Sequence, residues 1–165
     1  MELLTLTAAA IMSMYMNAAQ NTKSDYCYNA EIENGRVTTQ YVYRETPKAL
    51  TPHRRHGYEY DEQGRLTART TYGWNTTTDE WQPVCRWLYS YTAAGYSVEI
   101  AYWDARHARF AEPTSKSVYA LTAFSTVAYV TTYTRKEPGA PYEIAETLLA
   151  CNPQQVSPLD LADNS

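Results

Sequence analysis

Polar and apolar residues alternate along most of this chain, and short polar stretches interrupt the alternation at regular intervals. In "RLTARTTYGW", Leu66, Ala68, Thr70, Tyr72 and Trp74 fall on one parity, opposite Arg65, Thr67 and Arg69. In "WQPVCRWLYSY", Trp81, Cys85, Trp87, Tyr89 and Tyr91 share a parity, opposite Arg86 and Ser90. Successive side chains of an extended chain point to opposite sides, so a period of two with Thr, Tyr and Val predicts strands with one apolar face. In "GYSVEIAYW" the apolar set Tyr96, Val98, Ile100 and Tyr102 sits on the other parity relative to its glycine; a bulge or a shifted turn would restore the face.

The pattern also repeats at longer range. Gly35 opens "GRVTTQYVY", Gly64 opens "GRLTARTTY", Gly95 opens "GYSVEIAYW" and Ser125 opens "STVAYVTTY", and these runs reach Tyr43, Tyr72, Trp103 and Tyr133 in matching places. A second signature reads Pro, two residues, a basic residue, two residues, Tyr. It occurs from Pro52 to Tyr58, from Pro83 to Tyr89 and from Pro113 to Tyr119. A period near thirty residues marks a repeated supersecondary unit. The linkers "YDEQGR" and "YTAAGY" are short, polar and glycine-containing, as tight antiparallel connections require. "HGYEY" and "RLTARTTY" are therefore expected to pair about "DEQG". The longer connections "NTTTDE" and "DARHAR" lie between Trp74 and Trp81 and between Trp103 and Phe110, where an aromatic on each arm would clasp the loop base.

The expected fold is all-β: an antiparallel meander of about eight or nine strands in repeated hairpins between Ser24 and Leu149, forming a twisted sheet, sandwich-like or partly closed. "PYEIAETLLACNP" fits a helix turn or a last strand equally well. Residues 1–19 read as a signal peptide, uncharged from Leu3 to Met16 and followed by small residues, with cleavage after Ala19. Residues 20–152 form the repeat domain, and 153–165 a loose tail without periodicity. The uncharged run is too short to span a bilayer, which makes the expected compartment secreted or periplasmic.

Composition adds one strong bias, 16 Tyr against 2 Phe. A large ring with a polar tip suits half-buried sheet faces and binding surfaces. A net charge of −4 over 165 residues argues against nucleic acid as partner. Cys27, Cys85 and Cys151 have no metal-knuckle spacing and read as buried small hydrophobes.

The run from Tyr60 to Thr67, Tyr-Asp-x-x-Gly-Arg-Leu-Thr, resembles the YD repeat of RHS-type surface and toxin-shell proteins, whose tandem hairpins build β-sheet spirals. "YTAAGYS" lacks its Asp and Arg. Over nearly the whole chain, the export-like start with Trp-rich hairpins resembles a domain-of-unknown-function family of short secreted proteins from anaerobic gut bacteria. That resemblance implies an exported all-β protein and supplies no catalytic residues.

Little in the sequence carries chemistry. His53 and His56 with Glu59 suggest a metal, but histidines three apart on a strand would diverge, so no metal site is expected. His107 falls in a loop without an evident partner. Asp79, Glu80 and Asp104 are loop carboxylates and the weak candidates for a hydrolase; Asp61 and Glu62 lie in a turn. No phosphate loop or hydrolase motif is present, and no cofactor is expected. "NTT" at Asn75 matches a glycosylation acceptor but reads as a loop. The aromatic residues Trp74, Trp81, Trp87, Trp103 and Phe110 are the candidate ligand-binding face, suited to sugar rings or protein anchors. The favoured function is a non-enzymatic binding module for a glycan, an envelope component or a protein. The alternatives are the hydrolase and a structural subunit pairing through its sheet edges.

Overall fold

The computed structural model describes residues 25–121 and 127–151, and among these every regular element is a strand. The strands are β1 (Tyr26–Glu33), β2 (Arg36–Glu45), β3 (Leu50–Tyr60), β4 (Leu66–Asn75), β5 (Glu80–Thr92), β6 (Gly95–Asp104), β7 (Arg109–Phe110), β8 (Ser115–Leu121), β9 (Val127–Thr134) and β10 (Glu143–Cys151). They hydrogen-bond in the order β1-β2-β3-β4-β5-β6-β8-β9-β10, with the two-residue β7 paired to β6 off this path. The expected antiparallel meander is what the chain adopts, with one short strand more than expected. The ambiguous C-terminal stretch is a strand, not a helix. The expected signal peptide, the expected tail and the Ser125 opener lie outside the described residues.

The turns follow from local chemistry. Asn34 and Gly35 join β1 to β2 with φ of 51° and 75°, the pair of positive values that a two-residue turn needs to match strand twist. Between β3 and β4, the Asp61 carboxylate accepts the Arg65 backbone N–H at 2.8 Å and its Nε–H at 2.7 Å. Gly64 closes that turn at φ 78° and donates its N–H to the Asp61 carbonyl at 2.9 Å. Partial desolvation works to raise the Asp61 pKa, but these bonds and the Arg65 charge outweigh it and hold the carboxyl below its usual range.

Gly95 has a different reason to be glycine. Its φ is +152°, and a Cβ there would run into the backbone carbonyl of Tyr119 on β8. Close approach of β6 and β8 therefore depends on a missing side chain.

One regularity explains two of the three copies of the proline signature. In the β2–β3 pair, Tyr43 opposes Pro52 while Val42 opposes Arg54, leaving His53 as an extra residue. In the β4–β5 pair, Tyr72 opposes Pro83 while Thr71 opposes Cys85, leaving Val84 extra. Proline has no N–H for the ladder, so it sits beside a bulge. A three-residue step across one extra residue lands on the same face. Pro52 and Arg55 thus share a face, as do Pro83 and Arg86.

The chain forms two compact units. One holds β1 to β4, β5 through Leu88, and Ala101–Ala111 with the end of β6 and β7. Its core contains Val37, Val42, Tyr58, Leu66, Ala68 and Ala101, with Gln40, His56, Thr70 and Thr71 buried among them. The second holds Tyr89–Ile100 and the described residues from Glu112 to Cys151, with β8, β9 and β10. There Tyr96 and Tyr119 stack at 4.6 Å and 7°, and burial, followed by the neighbouring tyrosines, pushes the Tyr96 hydroxyl up to about 12. The buried positions Val98 and Ala101 on β6 are three apart, so strict alternation breaks between them.

Candidate binding surface

Residues directly opposed across antiparallel strands carry their side chains on the same face. Tyr41 on β2 opposes Arg55 on β3, which opposes Tyr72 on β4, which opposes Pro83 on β5; one step along, Trp74 opposes Trp81. The side chains form a continuous row. The Arg55 guanidinium lies 4.1 Å from the centre of the Tyr72 ring and 5.7 Å from Trp81. Tyr41 is 6.3 Å from Tyr43 and 6.3 Å from Trp81, and Trp74 meets Trp81 edge-to-face at 5.0 Å. All six side chains are half-buried, so each packs against its neighbours and leaves part of its surface to solvent.

Polar groups border the row. Tyr41 Oη donates to Glu31 at 3.0 Å, and Arg86 Nη2 donates to both Glu59 oxygens at 2.9 and 2.7 Å. Desolvation first, and then the Glu31 bond, raises the Tyr41 pKa.

The opposite face carries a different set. There Gln40 opposes His56, His56 opposes Thr71, and Arg69 opposes Trp87. Tyr58 Oη donates to Gln40 Oε1 at 3.0 Å, His56 Nδ1 meets Thr71 Oγ1 at 3.1 Å, and Arg69 lies 4.7 Å over the Trp87 ring.

The register corrects two sequence expectations. Trp81 and Trp87 share a parity, yet the extra residue Val84 puts Trp87 with Cys85 on the face opposite Trp74 and Trp81. The five aromatic candidates are therefore not one face. Trp74 and Trp81 belong to the row, Trp87 packs with Arg69 behind it, and Trp103 with Phe110 forms a separate edge-to-face pair at 5.0 Å beside the β6–β7 loop. Both loop-clasping pairs do form as expected. The second correction concerns His53 and His56, which do not diverge: with His53 the extra residue of its bulge, both line one recess. Among the described residues no group of three or more His, Cys, Asp or Glu is placed to hold a metal ion.

The remaining candidates are dispersed. Asp79 and Glu80 are exposed at the β4–β5 turn, with Asp79 at φ 51°. Asp104 caps its own loop, accepting N–H bonds from Arg106 and His107 and an Nδ1 contact from His107 at 2.6 Å, which lowers its pKa. Asn75 does the same for Thr77 and Thr78. These side chains hold turns. Cys27 and Cys85 are free thiols and only half-buried, unlike the buried hydrophobes expected of them; desolvation and the Glu45 carboxylate raise the Cys27 pKa.

Tyr41, Tyr43, Arg55 and Tyr72 were not among the sequence candidates. Their signal was the three-residue step from proline to a basic residue, which means a shared face only if a bulge intervenes.

A family model described as "Family of unknown function (DUF3836)" matches residues 1–121. Three solved structures are similar. A protein of unknown function from Bacteroides fragilis is 20% identical with a TM-score of 0.67, over 82% of this chain and 97% of that one. A DUF3836 family protein from Bacteroides vulgatus is 24% identical with a TM-score of 0.52, over 53% and 89%. Another from Parabacteroides distasonis is 26% identical with a TM-score of 0.50, over 52% and 81%. No curated protein matches this chain.

Proposed function

Because the chain belongs to DUF3836, a family of unknown function, no activity comes with membership, and we propose from the surface itself that the protein is an exported, non-enzymatic binding module. Its ligand is a glycan of the cell envelope, and its binding face is the row of Tyr41, Tyr43, Arg55, Tyr72, Trp74 and Trp81. The observation that supports this most directly is the continuity of the row. Tyr41, Arg55, Tyr72 and Trp81 come from four successive strands and pack against one another, which fixes the rings before any ligand arrives. Preorganised flat rings suit the apolar faces of sugars, because little side-chain entropy is left to lose on binding. Glu31, Glu59 and Arg86 border the row with acceptors and donors for hydroxyl groups.

Tryptophan fluorescence during titration with envelope oligosaccharides tests this. A saturable change is expected, weakened at least tenfold by Trp81→Ala and left intact by Trp87→Ala, whose ring is on the other side. Equal loss in both variants, or no response to any envelope fraction, overturns the proposal.

A further inference from the structure

The opposite face of the same strands holds a shallow recess of about 370 Å³, lined by Tyr26, Tyr28, Val42, His53, Arg54, His56 and Thr71. Its composition is one-sided in charge. It offers a guanidinium, two imidazoles, two phenols and a hydroxyl, and no carboxylate lines it. A second guanidinium stands at its rim, with Arg44 Nη2 3.4 Å from Tyr26 Oη and its Cζ 5.8 Å from the Tyr26 ring centre. The His53 ring lies 5.1 Å from the same ring, tilted by 36°.

Three arginines have carboxylate partners: Arg65 with Asp61, Arg86 with Glu59 and Arg135 with Glu112. Among the described residues the Arg54 side chain makes neither an ion pair nor a hydrogen bond, although it is half-buried at this recess. A guanidinium in such a position is a fork of donors awaiting a planar or tetrahedral oxyanion.

We propose that this recess binds a small organic oxyanion, a carboxylate or phosphate carried on a ring-sized apolar body. Arg54 takes the anionic oxygens, and an N–H of the His53 ring adds a donor. The Tyr26 and Tyr28 rings and Val42 enclose the apolar part. The bulge makes the site: the extra residue His53 turns toward the recess while Arg54 and His56 keep their alternation. The volume exceeds what a bare phosphate fills and falls within the range of small-molecule sites. The Arg54 charge disfavours a metal cation, and among the described residues no group of three or more His, Cys, Asp or Glu is placed to hold one. The site is independent of the aromatic row, which lies across the sheet.

The probe is phenyl phosphate, followed by backbone amide NMR on the full chain, with inorganic phosphate and benzyl alcohol as controls. Saturable shifts are expected at Val42, Arg54 and Thr71, weaker by at least tenfold with either control. Arg54→Gln should weaken phenyl phosphate at least tenfold, and Trp81→Ala should leave it unchanged. Benzoate in place of phenyl phosphate tells which oxyanion is preferred, and binding of either supports the site. The proposal fails if benzyl alcohol binds as well as phenyl phosphate, if inorganic phosphate does, or if the shifts cluster elsewhere. It also fails if folded Arg54→Gln binds like the parent. The wild-type shift map decides the matter even if that variant does not fold.

Discussion

His56 shows how one side chain ties the fold of β3 to solution pH. It is buried, bonded to Thr71, opposed by Gln40 and faced by Arg69 and Arg54. Burial, then the charges of Arg69 and Arg54, pulls its pKa from 6.5 down to about 4. The folded state therefore keeps this imidazole neutral where the unfolded chain would protonate it. Above pH 6.5 its contribution is intact, and it is lost as pH falls from 6.5 toward 4, because the unfolded state then binds the extra proton. A shift of that size corresponds to on the order of 3 kcal/mol. His53 is lowered in the same direction by desolvation, Arg54 and Arg44. Urea denaturation between pH 7.5 and 5 should show stability falling with pH, and His56→Gln should flatten much of that slope. A parent protein equally stable across the range would contradict the burial of a neutral ring.

At the scale of elements, the repeat is a structural object as well as a textual one. Trp74 and Trp81 span the β4–β5 loop, Trp103 and Phe110 span the β6–β7 loop, and both pairs meet at 5.0 Å with interplanar angles of 70° and 72°. Each loop ends on a non-glycine residue of positive φ, Asp79 at 51° and Ala108 at 49°, and begins with an Asn or Asp that accepts N–H bonds from its own turn. A double-mutant cycle on Trp74→Ala and Trp81→Ala should return a coupling of about 0.5–1.5 kcal/mol in chemical denaturation. Coupling near zero would mean the rings meet without consequence. This much was legible in advance: strand type, the hairpin about "DEQG", and both aromatic clasps follow from short-range spacing. Facing was not. Parity assigns Trp87 to the side of Trp81 and separates His53 from His56, and both assignments reverse because one residue drops out of the ladder. A bulge changes no residue type, so it is invisible to a period-two count; only the proline ahead of it leaves a mark. Arg55 of the row was hidden for the same reason.

Across the whole molecule, burial is unevenly distributed. Gln40, Val42, His56, Tyr58, Leu66, Ala68, Thr70 and Thr71 place the described core of the first unit on β2, β3 and β4. In the second unit every described side chain of β10 is exposed, including Ile144, Leu148 and Leu149. Backbone bonds flanked by buried side chains open only with large-scale unfolding, whereas those of an exposed strand open locally. Amide hydrogen exchange should therefore run much slower on β3 and β4 than on β10, by two orders of magnitude or more; similar rates would count against this division.

The extra residue at Val84 has a last implication, for how such a chain tolerates length change. Losing or gaining one amino acid there would swap which side of the sheet receives everything from Glu80 to Pro83, carrying Trp81 away from Trp74. Losing or gaining two would leave the sides as they are. Drift among copies of this module should then favour even-numbered insertions and deletions within strands. An odd one marks a place where the two surfaces have traded occupants.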